Sequence, residues 1–93
     1  MEKAEKVIIT VVGKDTVGII AKVCTFLSEK KINILDISQT IVSGFFNMMM
    51  IADMNGSDIS FGDLCDGMDK IGSEIGVSIK CQKEEIFDEM HRI

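Results

Sequence analysis

Ninety-three residues, 46% of them apolar and 27% charged, make one hydrophobic core and exclude a two-domain enzyme. No segment reaches the roughly 18 to 20 apolar residues of a membrane span, and the charged opening Met1-Glu2-Lys3-Ala4-Glu5-Lys6 is unlike a secretory signal, so a cytoplasmic protein with no membrane partner is expected. Ten basic against fifteen acidic side chains leave a net charge of −5, split as about +2 over residues 1–31 and about −7 over residues 32–93; with one arginine and neither Trp nor Tyr, the chain lacks the footprint of a nucleic-acid binder.

Val7, Ile9 and Val11 alternate with Lys6, Ile8, Thr10 and Val12, which predicts a strand ended by Gly13. Beyond Gly13-Lys14-Asp15, Thr16 is a candidate N-cap. Ile20, Val23, Cys24 and Leu27 fall at i, i+3, i+4 and i+7, which predicts an amphipathic helix over about 17–30. The runs 34–42 and 45–54 are rich in strand formers and are separated by Ser43-Gly44, a two-residue turn signal, so they read as a hairpin.

Ser60, with Asp63 three residues on, forms a weak capping box ahead of Phe61, Leu64, Cys65, Met68, Ile71 and Ile75, which predicts a second helix closed by Gly76. Val77, Ile79 and Cys81 alternate with Ser78, Lys80 and Gln82 as a last strand. Ile86, Phe87, Met90 and Ile93 predict a short amphipathic helix over 84–93. The expected organisation is a single domain, with a βαββαβ core over 1–83 and a helical tail over 84–93.

Right-handed crossovers put both helices of such an order on one side of a four-stranded antiparallel sheet, the ferredoxin-like α+β sandwich. Ile34, Val42, Phe45, Met49 and Ile51 alternate with Leu35, Ile37, Ile41, Phe46, Met48 and Met50, so both faces of the hairpin are rich in apolar side chains. The tail helix and a second subunit are the candidates to cover the second face. A core this small also favours a homodimer or higher oligomer.

The fold hosts many activities, so residues must choose among them. The loop after the first strand has no Cys-x-x-Cys for copper. Phe45 and Phe46 are adjacent and point to opposite faces, unlike paired RNA-stacking aromatics, and no arginine stands near the first loop to hold a phosphate. Cys24, Cys65 and Cys81 are widely spaced among apolar neighbours and His91 is the sole histidine, so buried free thiols are expected, with no disulfide framework, metal or cofactor.

The loop Gly13-Lys14-Asp15-Thr16-Val17-Gly18-Ile19-Ile20-Ala21, the run Asn33-Ile34-Leu35-Asp36-Ile37-Ser38-Gln39-Thr40-Ile41 and the ending Ile86-Phe87-Asp88-Glu89-Met90-His91-Arg92-Ile93 resemble the ACT domain. The resemblance is to its free-standing, single-domain members in bacteria and archaea and covers nearly the whole chain. The sequence is also similar to the ACT modules of the glycine cleavage repressor and of formyltetrahydrofolate deformylase. Two positions depart from the pattern: Val17 stands where many members have proline, and Lys31 where many have glycine, so Asn33 is expected to share the turning role if Lys31 resists a left-handed backbone.

The resemblance implies a regulatory, non-catalytic module that binds a small ligand, usually an amino acid, at an interface between ACT domains. The candidate ligand-binding residues are Gly13, Asp15, Val17, Gly18, Ile19, Asn33 and Ile34. Gly13 and Gly18 allow close backbone approach, the first helix offers free N–H groups and a positive dipole end to a carboxylate, and Asp15 or Asn33 can accept from an ammonium group. The alternative is a ligand-free assembly module in which the glycines only make a turn. A regulatory protein partner is expected for the sensor reading, and no nucleic acid for either.

Other groupings are read structurally. Met48, Met50 and Met54 share a face with Phe46 and Ala52 as core filling, and Met49 faces the other way. Asp63, Asp66 and Asp69 are a solvated helix face, and His91 with Glu84, Glu85 or Glu89 lacks the rigid surroundings of a general base. Ser38 and Thr40 have no partner base and no nucleophile elbow, so catalysis is not expected.

Overall fold

β-Branched residues build the first strand: Val7, Ile9 and Val11 are buried on one face, and on the other Lys6, Val12 and Lys14 are exposed while Ile8 is buried as well. The computed structural model of the chain describes residues 5–14 and 18–84. The elements are β1 (Lys6–Lys14), α1 (Ile19–Glu29), β2 (Asn33–Val42), β3 (Phe45–Asp53), α2 (Phe61–Ile75) and β4 (Val77–Lys83). The tail helix expected over 84–93 lies outside the described residues apart from Glu84.

The four strands form one antiparallel sheet in the order β2-β3-β1-β4, the ferredoxin-like topology expected. β1 is central, with Ile9 facing Met50 on β3 and Cys81 on β4. The helix-side faces of β1 and β3 supply Val7, Ile9, Val11, Phe46, Met48, Met50 and Ala52 to a core completed by Ile19, Val23 and Leu27 of α1 and Leu64 and Met68 of α2. The methionines Met48, Met50 and Met54 are core, and Met49 is exposed on the opposite face.

Local chemistry fixes the ends of the elements. The β2–β3 turn holds Ser43 at φ 52° and Gly44 at φ 81°, two successive left-handed residues whose twist suits a two-residue hairpin. The Ser60 side chain accepts a hydrogen bond from the Asp63 backbone N–H at 3.1 Å, as the capping box predicts. Gly76, at φ 76°, closes α2 in the left-handed conformation.

Three expectations are corrected. α1 begins at Ile19, capped by Gly18, two residues later than its spacing predicts; Thr16 lies outside the described residues. With that start Ile19 joins Val23 and Leu27 in the buried stripe, whereas Ile20 turns outward and Cys24 is half-buried. Second, Lys31 itself is left-handed, at φ 59°, and Asn33 is already strand. The end of α1 is a Schellman motif: Ile32 N–H donates to the Leu27 carbonyl at 2.9 Å and Lys31 N–H to that of Ser28 at 3.1 Å. Burial of Ile32 against the core gives the strain at Lys31 its compensation.

Third, β2 does not alternate cleanly. A bulge between Ile34 and Asp36 leaves Leu35 without a partner on β3, so Ile34 faces Ala52 on the helix side and packs against the core. Its place with Val42, Phe45 and Met49 in the sequence reading is thereby overturned. Past the bulge Ile37 faces Met50 and Ile41 faces Phe46, yet they remain 43% and 57% exposed because β2 lies at the sheet edge.

Candidate functional site

The candidate residues divide between the two ends of the sheet. Gly13 pairs with Phe46, which pairs in turn with Ile41, so the end of β1 that leads to α1 lies at the level of the β2–β3 turn. Asn33 pairs with Asp53, which pairs with Lys6, at the opposite end. Eight residues of extended chain, about 26 Å at ~3.3 Å per residue, separate Asn33 from the level of Gly13. One copy of the chain therefore does not bring Gly13 and Gly18 together with Asn33 and Ile34.

At the loop end, Gly18 has φ 92°, and a Cβ built there meets nothing within 4 Å. The conformation and not packing demands glycine. Its carbonyl accepts from Lys22 N–H at 2.9 Å, the first bond of α1. Among the described residues no side chain caps this helix, and its first turn carries no acidic residue. None of the described side chains therefore competes with an anion for the first N–H groups of α1 and its positive dipole end. Ile19 is buried in the core, so only its backbone is placed to meet a ligand. Gly13 belongs to β1, where a Cβ would lie 2.7 Å from Val77 Cγ1, so close packing of β4 explains this glycine without a ligand. Asp15 and Val17 lie outside the described residues.

At the other end, Asn33 and Ile34 line a shallow hollow with Cys24, Ser28, Lys31 and Ile32. Cys24, Ser28 and Lys31 were not among the sequence candidates, although their i, i+4, i+7 spacing puts them on one stripe of α1 and its cap. Beside the hollow Ser57 Oγ donates to the Lys30 carbonyl at 2.7 Å, and Lys31 Nζ lies 3.6 Å from Asp58 in an exposed ion pair. Between the two ends runs β2, whose outer edge pairs with no strand among the described residues and whose Leu35, Ile37, Ile41 and Val42 are exposed.

Among the described residues no nucleophile, base and oxyanion donor are brought together. Among the described residues no three His, Cys, Asp or Glu side chains are grouped to hold a metal ion. Cys24, Cys65 and Cys81 are free thiols, and each is half-buried where the sequence leads one to expect a buried one. Burial raises the Cys81 thiol to about 12, with the neighbouring Cys65 adding to the effect, and burial also raises Cys65. No helix among the described residues is long and apolar enough to cross a membrane.

The described candidate residues thus sit on a small α+β sandwich with the start of α1 toward one end, a hollow at the other and the edge strand β2 between them. The chain matches the ACT domain family over residues 5–82 and belongs to it. A UPF0237 protein of Bifidobacterium longum is 60% identical over 88 residues, which cover 95% of this chain and 98% of that protein; one from the archaeon Methanococcus maripaludis is 47% identical over 89 residues, 96% of this chain and 99% of its own. Among solved structures, an ACT domain protein from Streptococcus pneumoniae superposes with a TM-score of 0.80 at 38% identity, covering 92% of this chain and 97% of that one. A protein described as a glycine cleavage system transcriptional repressor shares the fold, with a TM-score of 0.76 at 20% identity; the match spans 88% of this chain and 47% of the repressor.

Proposed function

We infer that this chain is a non-catalytic regulatory module that binds a small metabolite, an amino acid by chemical class, at a homodimer interface and signals its presence to a partner protein. One observation carries the reading: the described candidate residues lie toward opposite ends of β2, an edge strand that pairs with no further strand among the described residues. Two copies joined antiparallel along β2 would set the α1 start of one beside the Asn33 hollow of the other. Each interface would then hold two equivalent sites. Edge pairing satisfies the free backbone groups of β2 and buries Ile37 and Ile41, exposed in the single chain.

The ligand chemistry follows from what each end offers. The first N–H groups of α1 suit a carboxylate. The Asn33 side-chain carbonyl of the second copy suits an ammonium group, and Asp15 is placed by sequence to add a charge. Because such a site needs both copies, ligand favours one packing of the dimer and so shifts its equilibrium. Membership of the ACT family and likeness to a repressor support a regulatory role.

The test is a thermal-shift screen of the chain against the twenty amino acids, folates and divalent metals, with Asn33→Ala alongside. A ligand binding only the folded state at a hundredfold excess over its Kd adds about 2.7 kcal/mol, a Tm rise of roughly 10–20 °C for this size. A selective rise lost in Asn33→Ala is expected. No rise with any amino acid at millimolar concentration overturns the sensor reading and leaves assembly through the exposed edge as the function.

A further inference from the structure

α2 and β4 form a helix–strand hairpin joined at Gly76. Cys65 precedes Gly76 by eleven helical residues, about 16 Å at ~1.5 Å each, and Cys81 follows it by five strand residues, about 16 Å at ~3.3 Å each. The two cysteines are therefore level with one another across the hairpin. Their side chains also share one interface. On its inner side a Cβ at Gly72 would lie 3.4 Å from Ile79 Cγ1, and on its outer side Lys83 Nζ sits 5.5 Å from the centre of the Phe61 ring. Phe61, Cys65 and Gly72 follow one stripe of α2, and Ile79, Cys81 and Lys83 follow one face of β4. The two thiols lie between these contacts, near enough that each bears on the ionisation of the other.

We propose that Cys65 and Cys81 form a reversible intramolecular disulfide that closes the open end of the α2–β4 hairpin. The oxidant is a low-molecular-weight disulfide such as oxidised glutathione. Cys65, nearer solvent, attacks as thiolate, forming a mixed disulfide and expelling one glutathione thiolate. Cys81 then gives up its proton to solvent and its sulfur attacks Cys65 Sγ, expelling the second glutathione. Two protein thiols become one disulfide as one glutathione disulfide becomes two thiols. Burial keeps both cysteines protonated at neutral pH, so the bond forms slowly, under sustained oxidising conditions. Gly76 fixes one end of the hairpin and the bond fixes the other, enclosing residues 65–81. This staple lies on the β4 side of the sheet, away from β2, so it leaves the edge and the Asn33 hollow open.

The test uses the full chain incubated with oxidised glutathione, followed by thiol counting, peptide mapping and thermal melting. The expected outcome is loss of two of the three free thiols, a linked peptide pair containing Cys65 and Cys81, no added glutathione mass, full reversal by dithiothreitol and a Tm rise of roughly 10–20 °C. Cys24→Ser should behave as the parent, whereas Cys65→Ser and Cys81→Ser should show no rise in Tm. Three thiols persisting after prolonged exposure, a bond mapped to Cys24 or between two chains, or stable glutathione adducts on the parent protein would each overturn the proposal.

Discussion

The Phe26 ring on α1 fills the space a side chain at Gly67 on α2 would require: a Cβ built at Gly67 comes within 2.7 Å of Phe26 Cε1. The two helices approach closely because a ring on one lies over a bare backbone on the other. Gly67→Ala gains about 1 kcal/mol of helix propensity but forces the ring aside, an overpacking cost of about 1–3 kcal/mol. Net destabilisation of about 1 kcal/mol in urea unfolding is expected. With Phe26→Leu already present the same substitution should become neutral or stabilising, and equal effects in both backgrounds would refute the contact.

Lys31 holds a left-handed backbone where a glycine would be free of strain. Lys31→Gly should stabilise the chain by about 1 kcal/mol, a Tm gain of roughly 4–8 °C. Loss of the Lys31–Asp58 ion pair subtracts little, because both side chains are 69% exposed. An unchanged or lower Tm would mean that the lysine stem contributes packing that exceeds its strain.

The β2 edge is tested by charge. Ile37→Lys alters an exposed side chain, so monomer stability should stay within about 0.5 kcal/mol. If two copies pair along β2, the substitution places like charges near the two-fold axis, and light scattering should report a monomer. A dimer that survives Ile37→Lys and Ile41→Lys together would place the interface elsewhere.

The sequence makes the strands, the hairpin turn and both ends of α2 legible because each has a strong local signature: period-two alternation, Ser43-Gly44, the Ser60–Asp63 cap, Gly76. The start of α1 was less so, since Ile19 and Ile20 are equally apolar and only the left-handed Gly18 decides which begins the buried stripe. The bulge at Leu35 has no local signature either; it follows from matching the helix side of β2 to Ala52. The separation of Gly13 and Gly18 from Asn33 is a property of topology, visible only once strand directions are known. The Cys65–Cys81 approach was in principle readable, by measuring equal lengths outward from Gly76.

Burial holds the Cys81 thiol at about 12 against an ordinary 9.0, so the folded chain keeps a proton that the unfolded chain releases above pH 9. Stability from this source is complete below pH 9 and declines as pH rises toward 12, with a limiting slope of about 1.4 kcal/mol per pH unit. Cys65, Asp66 and Asp69 strengthen the trend, because negative charge near the pair opposes ionisation. Urea unfolding between pH 8.5 and 10.5 should therefore show stability falling more steeply in the parent than in Cys81→Ala, although the variant starts lower from its lost packing. Parallel pH profiles would mean that Cys81 ionises as readily folded as unfolded, and that the α2–β4 interface admits water at this point.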